Sequence, residues 1–361
     1  MKNKLVSYLI DLVNIPSVIG EEEEIANYVE KFLNRFYLEK NIIRYNNSLI
    51  AFDNFDPSKK TIALIGHLDT VPGINEHTGQ IIDNKVYGLG ASDMKGGLAV
   101  MMGLIEYFSD REKKYNTIYV FYEKEEGPFI DNGLEPLLTE FDIIQKSDLA
   151  FALEPTDNSV QVGCLGTLHA SIIFEGKRAH SARPWQGENA IHKAAEFLNR
   201  LANVGIKEYD FEGMKYFEVM NATMVDFSGG RNIIPDRFVI NVNYRFAPNK
   251  SIEEAKEEVL KLVNGEAKVE FTDLCPSGNV CIYNPILGEL IEKFNLKVEA
   301  KQAWTDVARL SIHGIDAVNF GPGEQAQADQ KNEYIPIKNL EENFNIFKDF
   351  ISSEVYSTAK N

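Results

Sequence analysis

Residues 61–72 read TIALIGHLDTVP, and this stretch decides the fold of the 361-residue chain. Its first six residues are nearly all apolar, which is typical of a strand buried on both faces of a parallel sheet. The polar residues His67 and Asp69 follow directly at the end of that run. Because parallel sheets bind ligands at the carboxyl ends of their strands, the stretch predicts a sheet and also the edge that carries a site.

Helical and strand patterns alternate around this stretch. The sequence predicts helices at 4–14, 21–36 and 94–107, and further strands at 48–53, 117–122 and 149–153. Strands that alternate with helices and are nearly all apolar indicate an α/β fold, with a mainly parallel sheet covered by helices on both faces.

The pattern changes in the middle of the chain. Residues 168–174 and 238–246 alternate with period two, while 188–204 and 251–264 have helical periodicity, the latter led by a serine cap. These features indicate an inserted α+β domain with an antiparallel sheet. We therefore predict a discontinuous first domain at 1–165 and 277–361, interrupted by an inserted domain at 166–276.

Composition narrows the class of protein. The chain has 37 basic and 54 acidic residues, a net charge of −17, which argues against nucleic acid or an anionic membrane as partner. No apolar run approaches the length of a membrane span. The three cysteines lack metal-binding spacing and are expected to be idle thiols in a reducing cytoplasm. We expect a cytoplasmic enzyme.

Four short segments each end a strand-like run with a metal-competent side chain. One His, one Asp and two Glu are what a pair of divalent cations needs. In the first segment, His67 and Asp69 point to one face if the chain is extended there. When one ring nitrogen of His67 binds a metal, Asp69 could accept the N–H of the other ring nitrogen. The alternative is a core histidine followed by a turn aspartate.

The second segment contains Asp93 between glycines that allow close backbone approach, so its two oxygens could bridge two cations. Ser92 or Asp93 could instead cap the following helix. In the third segment, one of Glu125 and Glu126 can ligate while the other acts as general base, although adjacent acids are commonly a solvated patch. Glu154, in the fourth, follows apolar residues and would be costly to bury without a cation.

These segments resemble the co-catalytic zinc aminoacylase/carboxypeptidase family of metallopeptidases over essentially the whole chain. The resemblance implies a dinuclear zinc hydrolase fold in which His67 and Glu154 bind one metal, Glu126 binds the other and Asp93 bridges them. It further implies that Glu125 is the catalytic acid/base. Two divalent cations are expected, Zn²⁺ first, with Co²⁺ or Mn²⁺ as alternatives.

The resemblance extends to the inserted domain through residues 176–184, GKRAHSARP, and 187–191, GENAI. It implies that 1–165 and 277–361 form the catalytic metal-binding domain and that 166–276 is a lid/dimerisation domain. It implies that His180 reaches the active site of a neighbouring subunit in a homodimer and stabilises the oxyanion. Arg245 could hold a substrate carboxylate or could be a structural ion-pair partner. The substrate-binding residues we predict are Arg178, Arg183, Asn232, Arg245, Gly321 and Gly323.

Three blocks are more specific: GCLGTLHA at 163–170, AHSARPWQG at 179–187 and WTDVAR at 304–309. They are similar to the actinobacterial-type succinyl-diaminopimelate desuccinylases, which implies hydrolysis of N-succinyl-L,L-2,6-diaminopimelate. Two alternatives stay open. One is another N-acyl-amino-acid deacylase or dipeptidase with the same centre, and the other is a catalytically weak relative that binds an acylated amino acid.

The chain departs from the family pattern near its C-terminus. A histidine ligand of the second metal normally follows Gly-Pro-Gly, but here Asp329 takes its place after 321–323. A more anionic ligand set favours oxygen-preferring ions such as Mn²⁺ over Zn²⁺. We therefore predict weak or altered occupancy of the second metal site.

Overall fold

The computed structural model describes residues 1–248, 250–328 and 330–353. Its helices are α1 Lys2–Asn14, α2 Glu23–Leu33, α3 Gly96–Phe108, α4 Leu134–Glu140, α5 Ala190–Lys193, α6 Ala195–Ala202, α7 Ile252–Val263, α8 Pro285–Phe294, α9 Val307–Ile312 and α10 Ile337–Ile351. None of these described helices is long and apolar enough to cross a membrane.

The strands are β1 Ile42–Tyr45, β2 Ser48–Phe52, β3 Thr61–His67, β4 Ile81–Ile82, β5 Lys85–Tyr87, β6 Asn116–Tyr122, β7 Leu149–Pro155, β8 Val160–Val162, β9 Gly166–Glu175, β10 Ala179–His180, β11 Lys207–Phe211, β12 Met214–Phe227, β13 Ile233–Ile234, β14 Arg237–Phe246, β15 Lys268–Cys275, β16 Val298–Ala300, β17 Ala317–Gly321 and β18 Tyr334–Pro336. The described chain divides into two compact units.

The first unit comprises the described residues of 1–162, 281–299 and 309–353, and it is built on an eight-stranded sheet. The strand order is β1-β2-β6-β3-β7-β17-β8-β16. The four central strands are parallel, whereas β2 and β8 join them antiparallel. Every residue of β3, β6 and β7 is buried, as expected for strands covered on both faces. The α/β prediction is confirmed.

Strand register in the first unit determines which residues meet at the edge of the sheet. His67 at the end of β3 is opposite Tyr122 at the end of β6, and Ile65 is opposite Ala152 of β7. The segments that follow β3, β6 and β7 therefore leave the sheet at the same edge. Of the residues predicted to bind metal, His67 ends β3, Glu126 follows β6 and Glu154 is the next-to-last residue of β7, whereas Asp93 lies in the turn before α3.

The second unit comprises residues 163–280 and 300–308, with a five-stranded antiparallel sheet in the order β11-β12-β14-β9-β15. Alternate residues of β14 are buried in a core that also includes side chains of α5, α6 and α7. The serine cap predicted for α7 is present, because Ser251 and Glu254 form a reciprocal capping box. The single helix predicted over 188–204 is wrong in one respect, since α5 and α6 are separate segments on either side of Ala194. The roles predicted for these units, catalytic and lid, stay predictions.

Candidate metal centre

Three of the predicted ligands lie together in the first unit. His67 ends β3, Asp93 lies in the turn before α3, and Glu126 follows β6. One ligand atom from each lies within 4.8 Å of the other two. His67 Nε2 is 3.3 Å from Asp93 Oδ1. An imidazole nitrogen facing two carboxylates is a donor set suited to a divalent cation.

The orientation of His67 is determined by Asp69. His67 Nδ1 is 3.0 Å from the Asp69 carbonyl oxygen and 3.5 Å from Asp69 Oδ1. If Nδ1 carries the ring proton, its N–H donates to Asp69, and the lone pair of Nε2 is then directed at the cluster. Burial by itself lowers the pKa of His67, but the hydrogen bonds to Asp69 and Asp93 raise it well above its ordinary value. The same carboxylates would attract a cation.

Asp69 also determines the course of the chain after β6. It is fully buried, and its two carboxylate oxygens accept the backbone N–H groups of Glu125 at 3.0 Å and Glu126 at 2.9 Å. Burial opposes the charge on Asp69, but its hydrogen bonds to His67 and these amides lower its pKa overall. One carboxylate thus positions a predicted metal ligand and the segment that carries the predicted acid/base.

The turn that contains Asp93 is held by Glu333, a residue that sequence reasoning did not identify. The Glu333 carboxylate accepts the backbone N–H groups of Gly90 at 2.7 Å, Ser92 at 2.7 Å and Asp93 at 2.8 Å. Burial raises the pKa of Glu333 to about 7 even though these hydrogen bonds oppose the shift. The only feature of the sequence that could have indicated Glu333 is its place immediately before the short apolar run at 334–337.

A buried arginine supports the segment that follows Glu126. The guanidinium of Arg309 lies 3.9 Å from the centre of the Phe129 ring, and it donates to the Phe129 carbonyl and to the Glu135 carboxylate, both at 2.7 Å. His313 Nε2 is 3.0 Å from the other Glu135 oxygen. The segment from Glu125 to Glu135 is therefore fixed at both ends, by Asp69 and by this arginine. In the sequence, Arg309 stands out only as the last residue of the motif WTDVAR.

Glu154 and two predicted substrate-binding glycines lie at neighbouring strand ends. Glu154 is buried in β7 but is not among the three residues that cluster within 4.8 Å in the described part of the chain. A Cβ on Gly321 would be 2.3 Å from the Leu153 carbonyl oxygen, and one on Gly323 would be 2.1 Å from that of Ser92. Close packing alone therefore explains why both positions are glycine, and contact of these glycines with the substrate stays a prediction.

In the second unit, the structure brings His180 and Asn232 together. β10 pairs with β13, and the Ser181 N–H donates to the Asn232 carbonyl at 2.9 Å. His180 is exposed, and its Nδ1 accepts the N–H of Ala182 at 3.1 Å. Arg178 and Arg183 are also exposed. These predicted residues form one polar segment of the second unit.

Arg245 is half-buried on β14, and its Nε donates to Asn243 Oδ1 at 3.2 Å. Asp273 is near enough to interact electrostatically with the guanidinium, so the substrate role and the structural ion-pair role of Arg245 both stay predictions. Burial lowers the pKa of Arg245 from its ordinary value. Asp329, the predicted fifth metal ligand, lies outside the described residues.

Comparison with known proteins identifies the class. The profile of peptidase family M20/M25/M40 matches residues 63–353. The chain belongs to this family and is a metallohydrolase that acts on amide bonds. Among solved structures it is similar to the aminopeptidase PepT of Bacillus cereus (TM-score 0.79, 21% identity, 97% of this chain and 98% of that one). It is also similar to YXEP of Bacillus subtilis, described as a dinuclear metal-binding M20 peptidase (TM-score 0.73, 16% identity, 97% of both chains).

The relatives by sequence identity indicate a more specific group within the family. The chain is 36% identical over 330 residues to the putative succinyl-diaminopimelate desuccinylase DapE of Mycobacterium tuberculosis, covering 91% of this chain and 92% of the relative. It is 33% identical over 351 residues to the succinyl-diaminopimelate desuccinylase of Corynebacterium glutamicum, covering 94% of each. The protein is therefore an M20 metallopeptidase close to DapE, and the resemblance stated from the sequence is confirmed.

Proposed function

We propose that the protein hydrolyses N-succinyl-L,L-2,6-diaminopimelate to succinate and L,L-diaminopimelate. The observation that carries this proposal is identity of 33–36% with two desuccinylases over more than nine-tenths of the chain. The cluster of His67, Asp93 and Glu126 supports it, because hydrolysis of an amide by this family needs a metal centre. We also expect the enzyme to be cytoplasmic.

The proposed ligands are His67, Asp93, Glu126 and Glu154, with Asp329 as fifth. When bound, two divalent cations supply Lewis acidity toward the substrate carbonyl and the attacking water. Zn²⁺ is the proposed ion for the first site. The second site is proposed to have weak or altered occupancy, because an aspartate stands where the family has histidine.

Among the residues of the chain, Glu125 is the proposed acid/base. It accepts a proton from the attacking water and returns it to the leaving amine. Asp69 supports this role because it binds the backbone N–H of Glu125 and so positions the residue. His180 is proposed to stabilise the oxyanion from the lid of a second subunit.

A dicarboxylic substrate suits the cations of the second unit. Arg245 Nε donates to Asn243, and its two terminal NH₂ groups are proposed to bind a substrate carboxylate bidentately. Arg178, Arg183 and Asn232 are proposed as further contacts, together with Gly321 and Gly323.

A metal and substrate assay tests the proposed reaction. Chelator-treated enzyme is reloaded with Zn²⁺, Co²⁺ or Mn²⁺ and given succinyl-diaminopimelate, acetyl-amino acids or dipeptides. We expect no turnover without metal and the highest kcat/KM with succinyl-diaminopimelate. A higher kcat/KM with acetyl-amino acids or dipeptides would contradict the substrate, and absence of turnover under every condition would indicate a binding protein.

Metal content tests the altered second site. Mass spectrometry of zinc-loaded enzyme after dialysis is expected to give clearly less than two zinc ions per chain. The Asp329→His variant restores the family's ligand type, and we expect its zinc content to approach two ions per chain. Two tightly held zinc ions in the unaltered protein would contradict the prediction.

We further infer a homodimer formed through β12. Residues 214–218 pair with β11 and residues 219–227 pair with β14, so among the described residues the second edge of 219–227 has no strand partner. That edge exposes Met224, Val225 and Phe227, which are 71%, 62% and 56% exposed. Exposed strand edges with apolar side chains favour pairing with another strand, here a second copy.

The Met224→Lys variant tests the proposed interface. A charge on an unpaired edge opposes strand addition, so we expect the variant to be monomeric by sedimentation while the unaltered protein is dimeric. Leu38→Lys, at a site in the first unit that is 63% exposed, is the matched control and should remain dimeric. A dimeric Met224→Lys variant would place the interface elsewhere.

A further inference from the structure

We propose that Glu333 is a positioning residue for the metal centre, which fixes Asp93 in the conformation that binds cations. This inference rests on the proposed metal centre. Glu333 is 2% exposed, and both of its carboxylate oxygens are directed to the turn at 90–93. Oε1 accepts two N–H groups, from Ser92 and Asp93, and Oε2 accepts that of Gly90.

The three donors require a carboxylate at this position. Each is a backbone N–H, so every bond needs an acceptor on the side chain of residue 333. A glutamine has one acceptor oxygen, and its NH₂ group would face at least one of these amides. A buried backbone amide left without its acceptor carries a desolvation cost, so the turn would move to relieve it.

Tyr334, the residue after Glu333, also bonds to the turn that contains Asp93. Ser92 Oγ donates to the Tyr334 carbonyl at 2.8 Å and accepts the N–H of Glu324 at 3.1 Å. The backbone N–H of Gly88 donates to the Glu333 carbonyl at 3.1 Å. Hydrogen bonds to Glu333 and Tyr334 therefore hold the whole turn from residue 88 to Asp93.

The position of this turn determines the geometry of the cluster. Asp93 Oδ1 is 3.3 Å from His67 Nε2, and Glu333 holds the backbone N–H of the same aspartate. A carboxylate meant to bridge two cations tolerates little displacement, since outer-shell partners orient the groups that bind the metal. Glu333 is also four residues after Asp329 in sequence. The short segment 329–333 would thus supply the proposed fifth ligand, Asp329, and also the residue that positions the bridging ligand Asp93.

The test compares cation affinity in Glu333→Gln with that of the unaltered enzyme. Zn²⁺ and Co²⁺ are titrated against a competing chelator, and the visible absorption of bound Co²⁺ reports the ligand geometry. We expect Glu333→Gln to bind roughly 10-fold more weakly, with an altered Co²⁺ spectrum. Once saturated with metal, it should have a lower kcat and nearly unchanged KM.

The matched control is Glu218→Gln in the second unit. Glu218 is also 2% exposed and accepts a backbone N–H, that of Ala247 at 2.9 Å, as well as the Tyr244 hydroxyl. We expect the control to lose thermal stability without any change in cation affinity or Co²⁺ spectrum. If both variants lost affinity only in proportion to their stability, Glu333 would be merely structural and the inference wrong.

Glu333→Asp keeps the test decisive if the glutamine variant does not fold. It retains the charge on a shorter side chain, and we expect its cation affinity to lie between those of the unaltered enzyme and Glu333→Gln. Unaltered affinity and spectrum in the folded variants would overturn this inference alone. An unaltered enzyme that binds no cation would overturn the proposed centre as well.

Discussion

Replacement of Glu125 by Gln is expected to lower kcat for amide hydrolysis by roughly 10²–10⁴-fold, the range for loss of a positioned general acid/base. The change removes the group that accepts a proton from water but keeps the size of the side chain. The backbone N–H of Glu125, which donates to Asp69, is unaffected. Steady-state kinetics with succinyl-diaminopimelate measures the loss, and mass spectrometry should find an unchanged metal content.

The neighbouring change Glu126→Gln is the informative comparison. Glu126 belongs to the cluster with His67 and Asp93, so its replacement is expected to lower metal affinity as well as activity. Excess metal should restore part of the activity of Glu126→Gln and none of that lost in Glu125→Gln. If Glu125→Gln retained full turnover, or if it lost metal as Glu126→Gln does, the division of roles between the two residues would be wrong.

The parallel sheet could be predicted because its signal is local. β3, β6 and β7 are continuous apolar runs, and each is followed by or ends in an acid or histidine within the same short segment. The register of neighbouring parallel strands then brings those residues to one edge without further information. The strand pattern predicted His67 and one of the pair Glu125 and Glu126 at this edge, and the family resemblance implied that Glu126 is the ligand. The structure places His67 and Glu126 in one cluster with Asp93.

The supporting residues could not be predicted because their partners are distant in sequence. Glu333 bonds to amides about 240 positions away, and Arg309 bonds to Glu135 across 174 positions. Neither contact leaves a periodic or spaced pattern. An isolated acid or arginine in a chain with 25% charged residues is indistinguishable from a solvated one until burial is known.

The division of 188–204 into two helices was missed for a local reason. Asn189 caps α5 by accepting the N–H groups of Ile191 and His192, but α5 has only four residues. The apolar periodicity continues through Ala194 into α6, so a periodicity argument reads one helix. Burial of Ala190, Ala194 and Phe197 in one core explains why the apolar pattern is continuous although the helix is not.

Asp69→Asn is expected to lower kcat/KM by about 100-fold, the upper end of the range for outer-shell partners of a metal ligand. The Asp69 carboxylate accepts two amides and lies 3.5 Å from His67 Nδ1, so one change disturbs a ligand and the segment with the acid/base. Asparagine has one acceptor oxygen, which leaves Glu125 or Glu126 with a buried N–H facing an NH₂ group. Such an unsatisfied donor costs about 1–3 kcal/mol, so thermal unfolding should also shift downward.

Asp53→Asn separates this effect from simple destabilisation. Asp53 also accepts a backbone N–H and a hydroxyl, both from Thr117 at 2.8 Å, but it does so at the opposite end of β6 from Glu125 and Glu126. We expect Asp53→Asn to reduce thermal stability by a comparable amount with kcat/KM and metal content unchanged. Equal losses of kcat/KM in the two variants would mean that activity follows stability. Loss confined to Asp69→Asn, with weaker Zn²⁺ binding, would mean that this carboxylate acts through His67 and the segment after β6.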